Sequence, residues 1–557
     1  MDKSLFSTVT SQIPFVNYND GNRVQMASSM IRQSQLLTNP ELPLIVTQHS
    51  FVKGHSFSCQ VAKDDGYVKD VFNNVVLVEY KTGEEEIFQL HDFFTTRYRV
   101  GQKFKKGDVI VHHLAYDPET ELVAFGVNAN VVFGTEKSFT YEDAIVLTKT
   151  GRKKFEHIIP VKYIEEFFTN NIVVIDPNKI KPGQLIRKGE KILEYRKIAS
   201  SLLSIANAEV RTLRSDYDFV ITRIFTIAKD DFLKLQPDHT KKFFRMYSYD
   251  DVDLHPLIKK AMKKGFSFDG QAYIVIEGIS RRLPQIGDKF ANPYGNKGVV
   301  STFIDDFELI DNQNDIRFVP YVIHTPVGVP SRMNIGQILY MALGYILKYV
   351  VPKKLQQMND LNEQIKFLLK VYSYVAPKQY VENLVSLIKK QDKSTLKQHI
   401  KEIIRNGFRI IIPQFTYEMV DKIHKLYVDL GVPFVFSDSR YPSRKLGGGV
   451  VYTMILEHLV FKKLKHVSMS DVDTRTLQPL DGQRMGEMEM WTLASHNTLN
   501  FLKESLTIRS DDVISKDTVI RNIIRNGKSD MPEVTNSPTF DLFRSYLVLM
   551  GFEIDEK

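Results

Sequence analysis

The sequence predicts an α+β multidomain protein, and three observations carry that reading. The chain has 557 residues, 43% of them hydrophobic, enough to bury several cores at about 150 residues per domain. Its first third has the texture of strands and turns. From Ser331 onward apolar residues recur instead at helical spacing.

Taken in order, VVLVEY at 75–80 is a β-branched run that stops at Lys81, Thr82 and Gly83, and the turn KKGD at 105–108 leads into a strand at 109–111. A barrel or sandwich suits this region. A similar turn within IKPGQLIRKGEKILEY at 180–195 opens a middle region of short strands with polar loops, and Val299 and Val300 read as the start of a buried strand. Residues 333–350 are predicted to be helical, with Ser331 in reach of the N-cap. Further helices are predicted over 360–374, 379–406 and 416–430, with Gly407 and Gly431 as stops. A last long helix is predicted over 486–506, with Met488, Trp491, Leu499 and Leu502 on its apolar side.

Lys and Arg number 74 against 66 acids, a surplus of 8, so binding to nucleic acid would have to come from clustering rather than bulk charge. Lysines cluster at Lys259, Lys260, Lys263 and Lys264, at Lys353 and Lys354, and at Lys462, Lys463 and Lys465. The first two clusters read as solvated helix faces. One cysteine, Cys59, excludes an internal disulfide and a Cys-based zinc site, and points to a reducing, cytosolic compartment. No run approaches the ~18 apolar residues of a membrane helix, and MDKSLFSTV lacks the apolar core of a signal peptide, so the expectation is the cell interior. Neither low-complexity segments nor repeats of fixed period are found.

Four tracts could carry chemistry. GDKFANPYGNKGVVS at 287–301 sets Lys289 and Lys297 eight residues apart in a loop punctuated by Gly287, Gly295 and Gly298. The glycines allow positive φ and close approach to a ligand, and the lysines are point charges suited to a polyanion. An ordinary hairpin with solvated lysines is the competing reading. TPVGVPSRMNIGQ at 325–337 delivers Ser331 and Arg332 to a helix start, where a guanidinium beside exposed amides can fork onto a phosphate; a structural arginine paired with an acid fits equally well. In SFTYEDAIVL at 138–147, Glu142 and Asp143 precede an apolar run; on a strand they would point to opposite faces, so only one would reach a metal or substrate. DGQRMGEMEMW at 481–491 joins a Gly482 turn to Arg484, which could contact a backbone phosphate or pair within the helix start. The acid run YDDVD at 249–253 reads as a polar loop, and His112, His113 and His466 have no Cys or Glu at ligand spacing. A Walker loop and a Gly-x-Ser-x-Gly elbow are both absent.

Together and in this order the tracts resemble the C-terminal half of the β subunit of multisubunit DNA-dependent RNA polymerases. The series runs from IPFVNYNDGNRVQMASSMIRQ at 13–33 through FTYEDAIV, GDKFANPYGNKGVVS, PVGVPSRMNIGQIL and GQRMGEMEMWTL to LTIRSDDV at 506–513. It spans the chain from Ile13 to about Asp555. Family members carry large regions before the IPF tract, so the resemblance implies one piece of a split β subunit, of the kind encoded by giant tailed bacteriophages.

Several roles are implied by the resemblance alone. Lys289 and Lys297 fall on family lysines that face the RNA 3′ end and incoming nucleotide, and Arg332 and Arg23 on arginines that contact the triphosphate. Glu142 and Asp143 fall on an acidic pair in indirect contact with a second Mg2+. Gln33 falls on a glutamine beside the RNA:DNA hybrid, Arg484 lies in the segment leading to the clamp, and Lys465 takes the place of a family histidine, with His466 its neighbour. Pro293 and Tyr294 replace a family Arg-His pair, and TLQPLDGQ at 476–483 replaces a longer switch loop, so contacts made there do not carry over.

The catalytic Mg2+ of the family is held by an aspartate triad in β′, which this sequence lacks, so the chain is expected to be inactive alone. The implied fold is a double-psi β-barrel core with a flap-like β insert and a helical C-terminal region that packs on β′. The implied divisions are 1–150, barrel and hybrid-binding; 151–275, flap or wall; 276–345, active-centre loop and helix; 346–430, helical insert; 431–490, hybrid-binding and switch; and 491–557, clamp. Implied partners are the N-terminal part of β, β′ pieces, a promoter-specificity subunit, template DNA, transcript and nucleoside triphosphates, in the host cytoplasm or packaged in the virion. A nucleic-acid-binding or virion structural protein with a polymerase-derived fold is the alternative.

Overall fold

The computed structural model describes residues 6–51, 59–72, 75–90, 93–167, 171–174, 180–181, 183–197, 210–228, 247–248, 272–415, 417–441, 443–463, 484–530 and 537–553. The lysines at 259–264, the acid run at 249–253, Lys465 and His466 lie outside them. The chain divides into two compact units, 1–460 and 461–557.

The first unit is built around a closed ring of six strands: β1 (Val127–Phe133), β2 (Ala144–Thr148), β3 (Lys289–Ala291), β4 (Lys297–Ile304), β5 (Val322–His324) and β6 (Lys445–Ile455). Going round the ring, β1 is parallel to β5, β5 antiparallel to β2, β2 parallel to β4, and β4 antiparallel to β3; β3 and β1 each pair antiparallel with β6. Closure leaves these strands no free edge. Every ring strand has buried positions: in β2, Ile145, Val146 and Leu147 are fully buried. Two further β regions surround separate cores. One is strands within 59–113, packed on Val68, Val76, Val78 and Ile110. The other joins His157–Phe167 antiparallel to Ala272–Arg282 and packs on Ile186, Phe219, Ile221 and Ile276. The expected strand at 75–80 is Val75–Tyr80, and the one at 109–111 lies inside Val109–His113.

Three helices border the ring near the turn between β3 and β4: α1 (Gly21–Arg32), α2 (Gly328–Arg332) and α3 (Gly336–Tyr345). The helix expected over 333–350 exists, but it starts at Gly336 and runs on through Ile346–Val350 and Val351–Gln357. Ser331 is therefore not its cap. Pro330 fits the first turn of a short helix, Ser331 donates its hydroxyl to the Val327 carbonyl at 2.9 Å, and Met333 at φ 50° breaks the chain before α3. Arg332 accordingly ends one helix rather than starting another.

Leu361–Val375 is capped by Asp360, as its sequence implies. Residues 379–406 form two helices, Lys378–Lys390 and Lys393–Asn406, because Asp392 draws the hydroxyls of Ser394 and Thr395 into a new start. Gly407 and Gly431 end their helices at φ 88° and 65°. In the second unit the helix expected over 486–506 is two, Glu487–Ser495 and Leu499–Leu506, separated by Asn497 at φ 55°. Helices Val513–Asn526 and Pro538–Leu549 follow.

α3 reaches β6 through glycine. A Cβ on Gly449 would lie 2.4 Å from the Met341 carbonyl oxygen, and one on Gly344 would lie 2.6 Å from that of Val450. Both contacts are with backbone, so neither can be relieved by a rotamer change. Gly449→Ala is expected to destabilise the chain by about 2 kcal/mol, the scale of core overpacking, read as a lower denaturant midpoint.

At the end of β5, desolvation pushes His324 down to about 4, with Asp143 pulling it up and Arg332 pressing it further down. Its folded pKa lies below the unfolded value near 6.5. The unfolded chain therefore takes up a proton first as pH falls, and stability is lost between pH 6.5 and 4. Relative to wild type, His324→Gln should show a shallower fall in unfolding free energy across this window, measured by denaturation at stepped pH.

Candidate active site

The hairpin of β3 and β4 places Lys289 opposite Val299 and Lys297 opposite Ala291. Lys297 is two residues from Val299, so the two lysines are diagonal neighbours on one face of the ribbon. Five residues close the hairpin. Asn292 accepts hydrogen bonds at its Oδ1 from the backbone N–H groups of Tyr294 and Asn296 at 3.0 and 3.3 Å. Gly295 holds φ 73° and abuts the backbone of Arg23, where a Cβ would come within 2.4 Å of the carbonyl oxygen. Pro293 and Tyr294 turn inward; Tyr294 is 1% exposed and packs edge-on against Tyr340.

α1 and the end of β6 supply the facing wall. Asp20 caps α1 by accepting from the Asn22 N–H at 2.9 Å, and Arg23 in its first turn donates to the Gly295 carbonyl at 3.5 Å. At the other end of α1, Gln33 accepts at its carbonyl from the Glu457 N–H at 2.8 Å, and its side chain bonds His458 at 3.2 Å. His458 is tied to the lysine strand in turn: its carbonyl accepts from the Lys289 N–H at 3.3 Å, and the Leu456 N–H donates to the Lys289 carbonyl at 2.8 Å. Asp288, 2% exposed, accepts from the N–H groups of Gln285 and Val460 at 2.7 and 2.8 Å, clamping the two segments beside Lys289 and His458. The result is a cleft of about 340 Å3 whose polar lining is Lys289, Lys297, Gln33, His458, Gln25 and Ser29.

A second cleft of about 450 Å3 lies at the start of β2 and is lined by Glu142, Lys137, Tyr141, Ser331 and Arg332. Glu142 sits at φ 49° in the turn before the strand and is exposed. Asp143 pairs with the Arg332 guanidinium. Its carbonyl accepts from the Val299 N–H at 2.9 Å, and Gly298 permits that approach because a Cβ there would lie 2.6 Å from the Asp143 oxygen. The loop before Glu142 is fastened by Arg440, which bonds Glu136 at 3.1 and 3.2 Å and the fully buried Asp438 at 3.0 and 3.2 Å while stacking on Phe307 at 3.6 Å.

A buried row of amides joins the hairpin to the arginine tract. Gln337 accepts at Oε1 from Asn292 at 2.9 Å and Asn296 at 3.3 Å, and donates to Asn334 at 2.8 Å. Asn334 donates to the Tyr294 carbonyl at 3.4 Å, and Asn296 accepts from Arg332 at 3.5 Å. Asn19 accepts from the Gly336 N–H at 3.1 Å, drawing in the segment before α1.

Of the residues singled out from sequence, the fold gathers Lys289, Lys297 and Gln33 at one cleft and Glu142 and Arg332 at the other, with Asp143 paired to Arg332 and Arg23 on α1 against the hairpin turn. Arg484 is exposed in the second unit just before Glu487–Ser495, and Lys465 lies outside the described residues. His458 escapes a reading of histidines by metal-ligand spacing; its available signal is the polar pair Glu457-His458 that follows the apolar run VVYTMIL. Among the described residues no group of three or more His, Cys, Asp or Glu is placed to hold a metal ion. Two ammonium groups with amide and imidazole partners suit the neutralisation and orientation of a phosphate chain.

The family model RNA polymerase Rpb2, domain 6, matches residues 9–485, and Rpb2, domain 7, matches 481–556. Similar proteins include the DNA-directed RNA polymerase subunit beta of Malacoplasma penetrans, 27% identical over 99% of this chain and 44% of the relative. The protein of the same name from Thermus thermophilus is 26% identical over 100% of this chain and 51% of its own length, and that of Ureaplasma parvum 27% over 94% and 40%. The chain thus spans about half the length of the curated relatives it matches. With both domain models matched in order over almost all of its residues, the chain belongs to the Rpb2 family of RNA polymerase subunits.

Proposed function

We propose that this chain is the C-terminal part of a β subunit, on a polypeptide separate from the N-terminal part, in a DNA-dependent RNA polymerase. Its role is to hold the nucleotide and RNA 3′ end during template-directed synthesis. The observation that carries this reading is the convergence of Lys289, Lys297, Gln33 and His458 on one cleft. In this scheme Lys289 and Lys297 stabilise negative charge on the phosphate oxygens as the phosphodiester forms. Arg23 and Arg332 orient the triphosphate, with Arg332 exchanging Asp143 for phosphate. Gln33 and His458 present hydrogen-bonding groups to the end of the hybrid, and Lys465 and Arg484 extend the contact to nucleic acid.

Mg2+, bound by a β′ chain, supplies the metal chemistry of bond formation. The contribution of this chain toward that ion is limited to Glu142, which is exposed, and Asp143, which is committed to Arg332. The six-stranded ring is read as the double-psi barrel and the strands within 157–282 as the flap-like insert. In the second unit Trp491, Phe540, Phe543, Tyr546 and Leu549 are exposed, which suits packing on β′. The divisions at 150, 275, 345, 430 and 490 and an origin in a giant bacteriophage belong to the same proposal.

In the reconstituted complex, Lys289→Ala with Lys297→Ala should slow nucleotide addition by at least 100-fold, since one preorganised contact at a transition state is worth about 3 kcal/mol. Normal extension by an intact assembly would sink the assignment. Mass spectrometry of the native complex should find a β′-like chain and an N-terminal β chain. Absence of any β′-like partner would favour a nucleic-acid-binding or virion structural role.

A further inference from the structure

We propose that Gln337 is a positioning residue that couples Lys297 to Arg332, so that the two cations act on one ligand as a unit. The inference rests on the active-site reading above but concerns a residue that lines neither cleft.

Gln337 is 1% exposed at the first turn of α3, and its amide is used at both ends. Its oxygen accepts from Asn292 and Asn296, which brace the turn leading directly into Lys297; its nitrogen donates to Asn334, two residues beyond Arg332. Asn296 completes the circuit by accepting from Arg332. Asn292, Asn296 and Asn334 are themselves 6%, 8% and 0% exposed, so water cannot replace a lost partner at low cost. An amide fits this place because it accepts and donates at once. An apolar side chain of similar length would leave three buried amides to find new partners, and the hairpin and the arginine tract would then settle independently.

The test uses the assembled polymerase with Gln337→Met and Gln337→Glu, following single-nucleotide extension and thermal unfolding of the chain. Gln337→Met should lower kcat/KM for nucleotide by about tenfold, the usual scale of coupling between residues of one network. It should also make the effects of Lys297→Ala and Arg332→Ala additive where they are non-additive in wild type. In Gln337→Glu, the protonated carboxyl reproduces both accepting and donating bonds. Its kcat/KM relative to wild type should therefore fall as pH rises and the carboxyl ionises, and this variant carries the test should the Met variant fail to fold. A lower unfolding temperature with kcat/KM and non-additivity unchanged would make Gln337 a packing residue and overturn the inference. Intact extension by the Lys297→Ala and Arg332→Ala variants themselves would overturn the active-site reading along with it.

Discussion

At Gly449 and Gly344 a strand and a helix meet backbone to backbone, and the placement of the lysine hairpin in the first unit depends on that contact. β6 pairs with β1 along seven residues and with β3 near its end, so whatever fixes α3 against β6 also fixes α3 against the lysine hairpin. With no side chain between them, helix and strand have one approach distance, set by van der Waals contact of carbonyl oxygens rather than by adjustable rotamers. Gln337 then enters the hairpin turn from the first turn of that helix. The amide row is a consequence of this docking as much as a cause of it.

Polar groups elsewhere in the ring obey the same logic. β1 carries two buried asparagines that would be anomalous in an ordinary strand. Asn128 accepts from the Leu44 N–H at 3.2 Å and donates to the Leu42 carbonyl at 2.9 Å, while Asn130 donates to the Val319 carbonyl at 2.7 Å. Lys348 donates to the Asn128 carbonyl at 2.5 Å; burial pushes its ammonium down to about 8, against the pull of Glu41. The two asparagines satisfy irregular segments that pass over the ring, where backbone N–H and C=O groups would otherwise lack partners, and Lys348 serves a carbonyl of the ring strand itself. The ring thereby holds the segments after α1 and before β5 in place.

Much of the local structure is legible in the residues. Asp360 before an apolar period, Gly407 and Gly431 after one, and the run VVLVEY all behave as their chemistry dictates, because capping, left-handed glycine and β-branched packing act over a few residues. The departures are informative in the same terms. Ser331 has the chemistry of a cap for α3, yet Met333 adopts a left-handed conformation against its own preference and starts the helix three residues later. Asn497 and the hydroxyls around Asp392 likewise split helices whose apolar period continues across the break. Periodicity registers which face is buried, not whether the backbone is interrupted.

The family, the order of its tracts and residue types suited to phosphate are all written in the chain, because glycine, lysine and arginine at set spacing carry backbone and charge requirements that are local. Which of those residues share a site is a property of the folded molecule. Lys289 and Lys297 are brought to one face by antiparallel register, and Gln33 and His458 join them from positions hundreds of residues apart. Arg332 is matched to Asp143 across the gap between α2 and β2, a pairing of residues 189 positions apart. Tyr294 is turned into the core by packing on Tyr340, although its place in a glycine-rich loop suggests a surface. Such pairings depend on ring closure and on the glycine contact of α3 with β6, long-range constraints that no short window of sequence contains.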